Sequence, residues 1–130
     1  MGSIGVNPST ANETENDPTI RKDIGFAKRL RYGGLLKLNV GAFRATDPQA
    51  WRRAFDRVGP ENTARHLVEY AQEFHVEKMV AAWGKNGQFA TGQCEAILRE
   101  FTELWCFGKN GDGSPKHTLM LPYSSKLERF

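Results

Sequence analysis

Met79-Val80-Ala81-Ala82-Trp83-Gly84 is the stretch that decides the fold. Its apolar run has no polar alternation, which suits a strand buried on both faces. Such strands belong to parallel sheets covered by helices on each side. The strand candidate runs from Val76 to Trp83, with Gly84 and Gly87 breaking it. Upstream, Pro60 opens a helix that carries Ala64, Leu67, Val68, Ala71 and Phe74 on one side. Downstream, Cys94, Ile97, Leu98 and Phe101 mark another helix, and Leu104-Trp105-Cys106-Phe107 a short strand.

The same alternation continues outward. Ser3 to Val6 has room for a short first strand. Asp17-Pro18 is a helix start, with Asp as N-cap and Pro in the first turn. Ile20, Ile24, Ala27 and Leu30 then recur at helical spacing until Tyr32-Gly33-Gly34. Leu35 to Phe43 reads as a strand in which Leu36, Leu38 and Val40 alternate with Lys37 and Asn39. Asp47-Pro48 repeats the helix start before Ala50, Trp51, Ala54 and Phe55, and Gly59 ends that stripe. Lys109 to Pro115 is a loop, and Thr118 to Leu121 a terminal strand or extended segment closed by Pro122. The pattern predicts an α/β fold, a three-layer α/β/α sandwich with a mostly parallel central sheet. The 130 residues suit one such domain over 1–130, its first strand short or truncated.

Composition removes several function classes. Two cysteines make neither a disulfide framework nor a four-thiolate metal site. No apolar run has membrane-spanning length, so no membrane partner is expected. The opening residues lack a basic and apolar secretory leader, which points to a reducing, cytoplasmic setting. The net charge of +3 is uneven: residues 21–60 hold ten basic and three acidic side chains. Arg21, Lys22, Lys28, Arg29, Arg31, Lys37, Arg44, Arg52, Arg53 and Arg57 either converge on a phosphate-attracting face or solvate two amphipathic helices.

Ligand sites of parallel sheets lie beyond the strand C-termini, and four polar groups fall there. Gly5-Val6-Asn7-Pro8-Ser9-Thr10 offers an amide and the Ser9 and Thr10 hydroxyls for an anion- or base-binding turn, or a plain Asx-Pro turn. It has neither the P-loop nor the GxGxxG spacing. Asn39 must be paired inside its strand, so it either reads a ligand edge or braces a loop. Arg44 can fork onto phosphate with Thr46 and Asp47 assisting, although Asp47 also suits a helix cap. Gly84-Lys85-Asn86 is the third group, and Lys109 through Lys116 and His117 the fourth; His117 can donate to developing negative charge. Asp17 is either an acid–base group or a cap. His66 and His75 read as structural or solvent-facing, and Trp51, Trp83 and Trp105 as core. No HExxH, short CxxC pair or GxSxG is present, and no metal or other cofactor is expected.

The motifs Gly5 to Ala11, Asp17-Pro18-Thr19-Ile20-Arg21, Asn39 with Arg44-Ala45-Thr46-Asp47-Pro48, Val58 to Asn62, Ala81 to Gly84 and Pro115-Lys116-His117 with Leu121-Pro122 resemble the DUF1643 family in order. That family comprises small bacterial and phage proteins, which implies a bacterial cytoplasm or that of a phage host. More distantly, the chain resembles the uracil-DNA glycosylase superfamily. Gly5-Val6-Asn7-Pro8 is similar to its water-positioning motif, Leu38-Asn39-Val40 with Arg44 to its middle motif, and Lys116-His117-Thr118-Leu119 to its final motif. The resemblance implies a uracil-DNA-glycosylase-like fold and a base N-glycosidase, hence a hydrolase. Asn7 would position water, with Asp17 and His117 as further catalytic candidates. Asn39 would read the base, and Ser9, Thr10, Arg44, Thr46, Lys109 and Lys116 would bind the ligand. The expected partner is a nucleotide, nucleobase or single-stranded nucleic acid, and a homo-oligomer is compatible. The alternative is a non-catalytic nucleotide-binding protein or a phage–host interaction protein.

Overall fold

The computed structural model describes residues 1–5, 18–39, 60–85, 87, 91–101 and 103–130. Five strands form one sheet in the order β2-β1-β3-β4-β5: β1 (Gly2–Gly5), β2 (Leu36–Asn39), β3 (Met79–Ala81), β4 (Trp105–Cys106) and β5 (Glu128–Arg129). Three helices are described, α1 (Pro18–Arg29), α2 (Pro60–Glu73) and α3 (Thr91–Glu100). β1 pairs in parallel with β2 and with β3, placing Ser3 opposite Lys37, Gly5 opposite Asn39 and Ile4 opposite Ala81. β3 pairs in parallel with β4, whereas β5 runs antiparallel to it.

Side chains of a strand alternate between faces, and here the alternation sorts two cores. On one face, Ile4, Met79 and Ala81 pack with Ala64 and Leu67 of α2 and Cys94, Ala96 and Ile97 of α3. On the other, Val80 and Phe107 meet Phe26 and Ala27 of α1. All three residues of β3 are buried, as a strand covered on both faces must be. The sheet is therefore mostly parallel, with helices on each face.

Three expectations change. Thr118 to Leu121 is not a strand: the Leu121 amide donates to the Thr118 carbonyl at 3.1 Å, closing a turn. Thr118 points inward, 1% exposed, and uses its hydroxyl in the interior rather than its backbone in a ladder. The last strand is instead Glu128–Arg129, a charged, exposed pair too short to show periodicity. β3 is also shorter at both ends than Val76 to Trp83: it spans Met79–Ala81, the Ala82 amide adds one more bond to the Ile4 carbonyl at 2.9 Å, and the left-handed Gly84 (φ 65°) then turns the chain. Finally, Leu98 and Phe74 leave their apolar stripes and stand exposed, while Ile97 is fully buried. The helix expected after Asp47-Pro48 and the end of the second strand at Val40 to Phe43 lie outside the described residues.

Candidate functional site at the C-terminal edge of the sheet

β2 and β3 lie on opposite sides of β1, so the strand order reverses between β1 and β3. At such a reversal the connections leave in opposite directions and open a crevice beyond the strand ends. Two of the sequence candidates reach this edge. Asn39 ends β2, and its Oδ1 lies 3.0 Å from where a Cβ on Gly5 would stand. The bare Gly5 lets the carboxamide fold across the end of β1. His117 arrives from the C-terminal side of the chain and packs on Gly84, just past β3. A Cβ on Gly84 would stand 3.1 Å from the His117 Cβ, and its φ of 65° is strained for any L side chain. Gly84 thus makes both the turn and the seat for His117.

The imidazole orientation has a consequence for its chemistry. The Leu119 amide donates to His117 Nδ1 at 3.2 Å. Nδ1 then carries no proton and Nε2 does, so the ring offers an N–H donor from Nε2.

Lys109 and Lys116 belong to the hairpin after β4. Lys109 bridges to Pro115, and the Lys116 amide donates to the Gly108 carbonyl at 2.9 Å. The Lys109 ammonium lies 5.6 Å from the Phe130 ring centre, while the Lys116 stem runs beside Gly108. The hairpin tip is held by Asp112, whose Oδ1 accepts from the amide and the hydroxyl of Ser114. Those bonds, led by the hydroxyl, hold the Asp112 carboxyl below its ordinary range. Asn7, Ser9, Thr10, Asp17, Arg44 and Thr46 lie outside the described residues.

Beneath Asn39 and His117 lies a polar cluster that the sequence reading passed over. Asp23 of α1 is fully buried. Its Oδ2 accepts from Lys37 Nζ at 2.8 Å and from Ser3 Oγ at 3.0 Å, and its Oδ1 from Thr118 Oγ1 at 2.6 Å. Lys37 also donates to Ser3 Oγ at 3.1 Å. Lys37 is therefore committed to Asp23 rather than to a phosphate-attracting or a solvated face. It turns inward because a buried carboxylate needs a cation and several donors. Lys22 is also engaged, with its ammonium 3.9 Å from the Tyr123 ring centre. Among the described residues no group of His, Cys, Asp and Glu has the arrangement of a metal site.

The model of the family described as "protein of unknown function (DUF1643)" matches residues 1–119. The chain belongs to the DUF1643 family. No curated protein and no solved structure matches it. No described helix of this DUF1643 protein is long and apolar enough to cross a membrane.

The two cysteines are packing residues on this geometry. Burial pushes the Cys94 thiol from its ordinary value near 9 up to about 12, with Glu95 adding to the effect. Burial also raises Cys106, whose thiol donates weakly to Glu128 Oε1 at 3.8 Å. Thiolate is the reactive form, so iodoacetamide at pH 8 is expected to leave both thiols intact in the folded protein and to alkylate both in denaturant. The unfolded chain loses these protons first as pH rises. The protonated thiols accordingly favour folding below about pH 9, and for Cys94 that contribution fades between 9 and about 12. Native-state labelling at pH 8 as fast as in denaturant would show the burial to be wrong.

Proposed function

We propose that this DUF1643 protein is a nucleotide- or nucleic-acid-associated protein with a ligand pocket at the β1/β3 edge, and that its chemistry is hydrolysis of a base–sugar bond. The observation carrying this reading is that Asn39 and His117, distant in sequence, approach the ends of adjacent parallel strands. β2 and β3 are two strand spacings apart, about 10 Å, which leaves room for a planar base between an amide that can read its edge and an N–H donor.

In this reading Asn7 orients a water against the sugar C1′. The water oxygen bonds to C1′ as the C1′–N bond breaks, the bond's electron pair leaves with the base, and the proton that the water gives up ends on the departed base. The Nε2–H of His117 donates to the negative charge developing on the base, a contribution that is large in a water-poor site. Arg44 and Lys116 hold phosphate, Ser9, Thr10 and Thr46 line its turn, and Asp17 is an auxiliary acid–base group. No cofactor enters the step. The proposal includes a uracil-DNA-glycosylase-like fold over residues 1–130, acting in a bacterial or phage-host cytoplasm.

One observation favours a second reading. Asp23 has both carboxylate oxygens engaged by three donors, so α1 supplies no carboxylate free to act as base. A protein that captures a nucleotide without turnover needs none.

The deciding experiment incubates the protein with uracil- and hypoxanthine-containing single-stranded and duplex DNA, RNA, and free nucleotides, and measures released base by chromatography. Base release is expected, falling about ten- to a hundredfold in Asn7→Ala and in His117→Ala. Binding without product, retained in Asn7→Ala, selects the capture reading. A folded protein that neither binds nor cleaves any member of the panel removes both.

A further inference from the structure

The buried cluster and the two site residues form consecutive layers of one sheet face. Residues two apart on a strand share a face and lie about 6–7 Å apart. Ser3 therefore lies one step below Gly5, and Lys37 one step below Asn39, in paired register. Thr118 follows His117 directly. Each of the three donors to Asp23 is thus chained to an element of the site above it: Ser3 to the strand end that Asn39 covers, Lys37 to Asn39, and Thr118 to His117.

Burial of a charge in such a place has no general advantage for stability, since apolar residues of similar volume commonly serve as well or better. What apolar packing cannot do is fix direction. Hydrogen bonds at 2.6–3.0 Å prescribe where each donor stands. They join four segments, β1, α1, β2 and a turn 95 residues beyond Asp23.

We propose that Asp23 is the positioning residue of this site: its carboxylate, through Thr118 and Lys37, sets where His117 and Asn39 stand relative to one another. The proposal rests on the reading of that edge as the ligand pocket. Asp23 touches no ligand in it. It fixes the turn that carries the imidazole against the strand that carries the amide.

Thr118→Val tests this because it removes the hydroxyl at nearly constant volume, and Thr118→Ser returns it. NMR of the free protein is the first readout. Thr118→Val is expected to move both the His117 imidazole and the Asn39 side-chain amide resonances, and Thr118→Ser to bring both back. Ile97→Val, on the opposite face of the sheet, is the control and should move neither. If Thr118→Val moves neither resonance, or moves His117 alone, the coupling through Asp23 is overturned. Should Thr118→Val fail to fold, the wild-type protein decides. Its Thr118 hydroxyl proton is expected to exchange slowly enough to be seen, and its absence at low temperature counts against the clamp. Single-stranded DNA carrying one uracil supplies the kinetic readout. With it, kcat of Thr118→Val should fall about tenfold, KM should change less than twofold, and Thr118→Ser should restore kcat. A KM change with kcat intact would overturn the positioning role. If the wild type leaves that DNA intact, the glycosidase reading is damaged, whereas the resonances still decide the role of Asp23.

Discussion

Asp23→Ala is expected to lower the melting temperature by about 10 °C. The substitution leaves the Lys37 ammonium beside Ser3 Oγ without its counter-charge, and takes the acceptor from the Thr118 and Ser3 hydroxyls. Removing one member of a buried ion pair costs about 3–5 kcal/mol, because the other charge stays behind without compensation. Lys37 is 18% exposed, so its ammonium can swing partly into water, and the lower end of that range applies. For a chain of this length about 3 kcal/mol corresponds to roughly 10 °C. The double variant Asp23→Ala/Lys37→Met should cost less than Asp23→Ala alone, since it removes the stranded charge as well. That non-additivity is the signature of a direct pair. Thermal unfolding followed by circular dichroism checks both. Equal costs for the single and the double variant would mean that the ammonium does not depend on Asp23.

The signal for this cluster was present in the sequence and was outweighed. Asp23, Phe26, Ala27 and Leu30 are spaced i, i+3, i+4 and i+7, the pattern of a buried helix stripe with a carboxylate as its first member. Reading the stripe through Ile20 and Ile24 instead places Asp23 to one side, yet both isoleucines are only half-buried whereas Asp23 and Phe26 are fully so. Lys37 is likewise hidden among the ten basic residues of segment 21–60, because a lysine between leucines normally faces water. Only a partner on another element reverses that preference, and a single strand's periodicity carries no information about its partners. The parallel sheet was legible because continuous apolar runs and helix starts are local properties. The antiparallel β5 was not, since the two residues Glu128 and Arg129 carry no pattern. Chain order alone groups Asn39 and His117 with the polar segments near the strand C-termini, although it runs the second strand past Asn39 to Phe43. Their approach to Gly5 and Gly84 could not, because it depends on which strands are neighbours.

Phe26→Ala should be at least as damaging as the loss of Asp23, for a different physical reason. The ring is fully buried, stacks on Phe107 with centroids 4.2 Å apart, and meets Tyr123 edge-on at 5.1 Å. Truncating such a side chain loses its transfer free energy and leaves a cavity, together about 3–5 kcal/mol. The neighbours limit collapse: Phe107 follows β4 and Val80 belongs to β3, so neither can close the gap without moving the sheet. The expected fall is therefore near 4 kcal/mol, or about 12–15 °C. Benzene should restore part of the melting temperature, since an apolar cavity that stays open binds small apolar guests. No rescue combined with a loss of only about 1 kcal/mol would mean that Tyr123 swings in to fill the space. Phe26 lies one helical turn from Asp23, so its loss should leave the Thr118 hydroxyl bonded and the His117 and Asn39 resonances in place. Asp23→Ala should displace both at a similar cost in stability. Two variants of one helix face then separate what holds the domain together from what aims its edge.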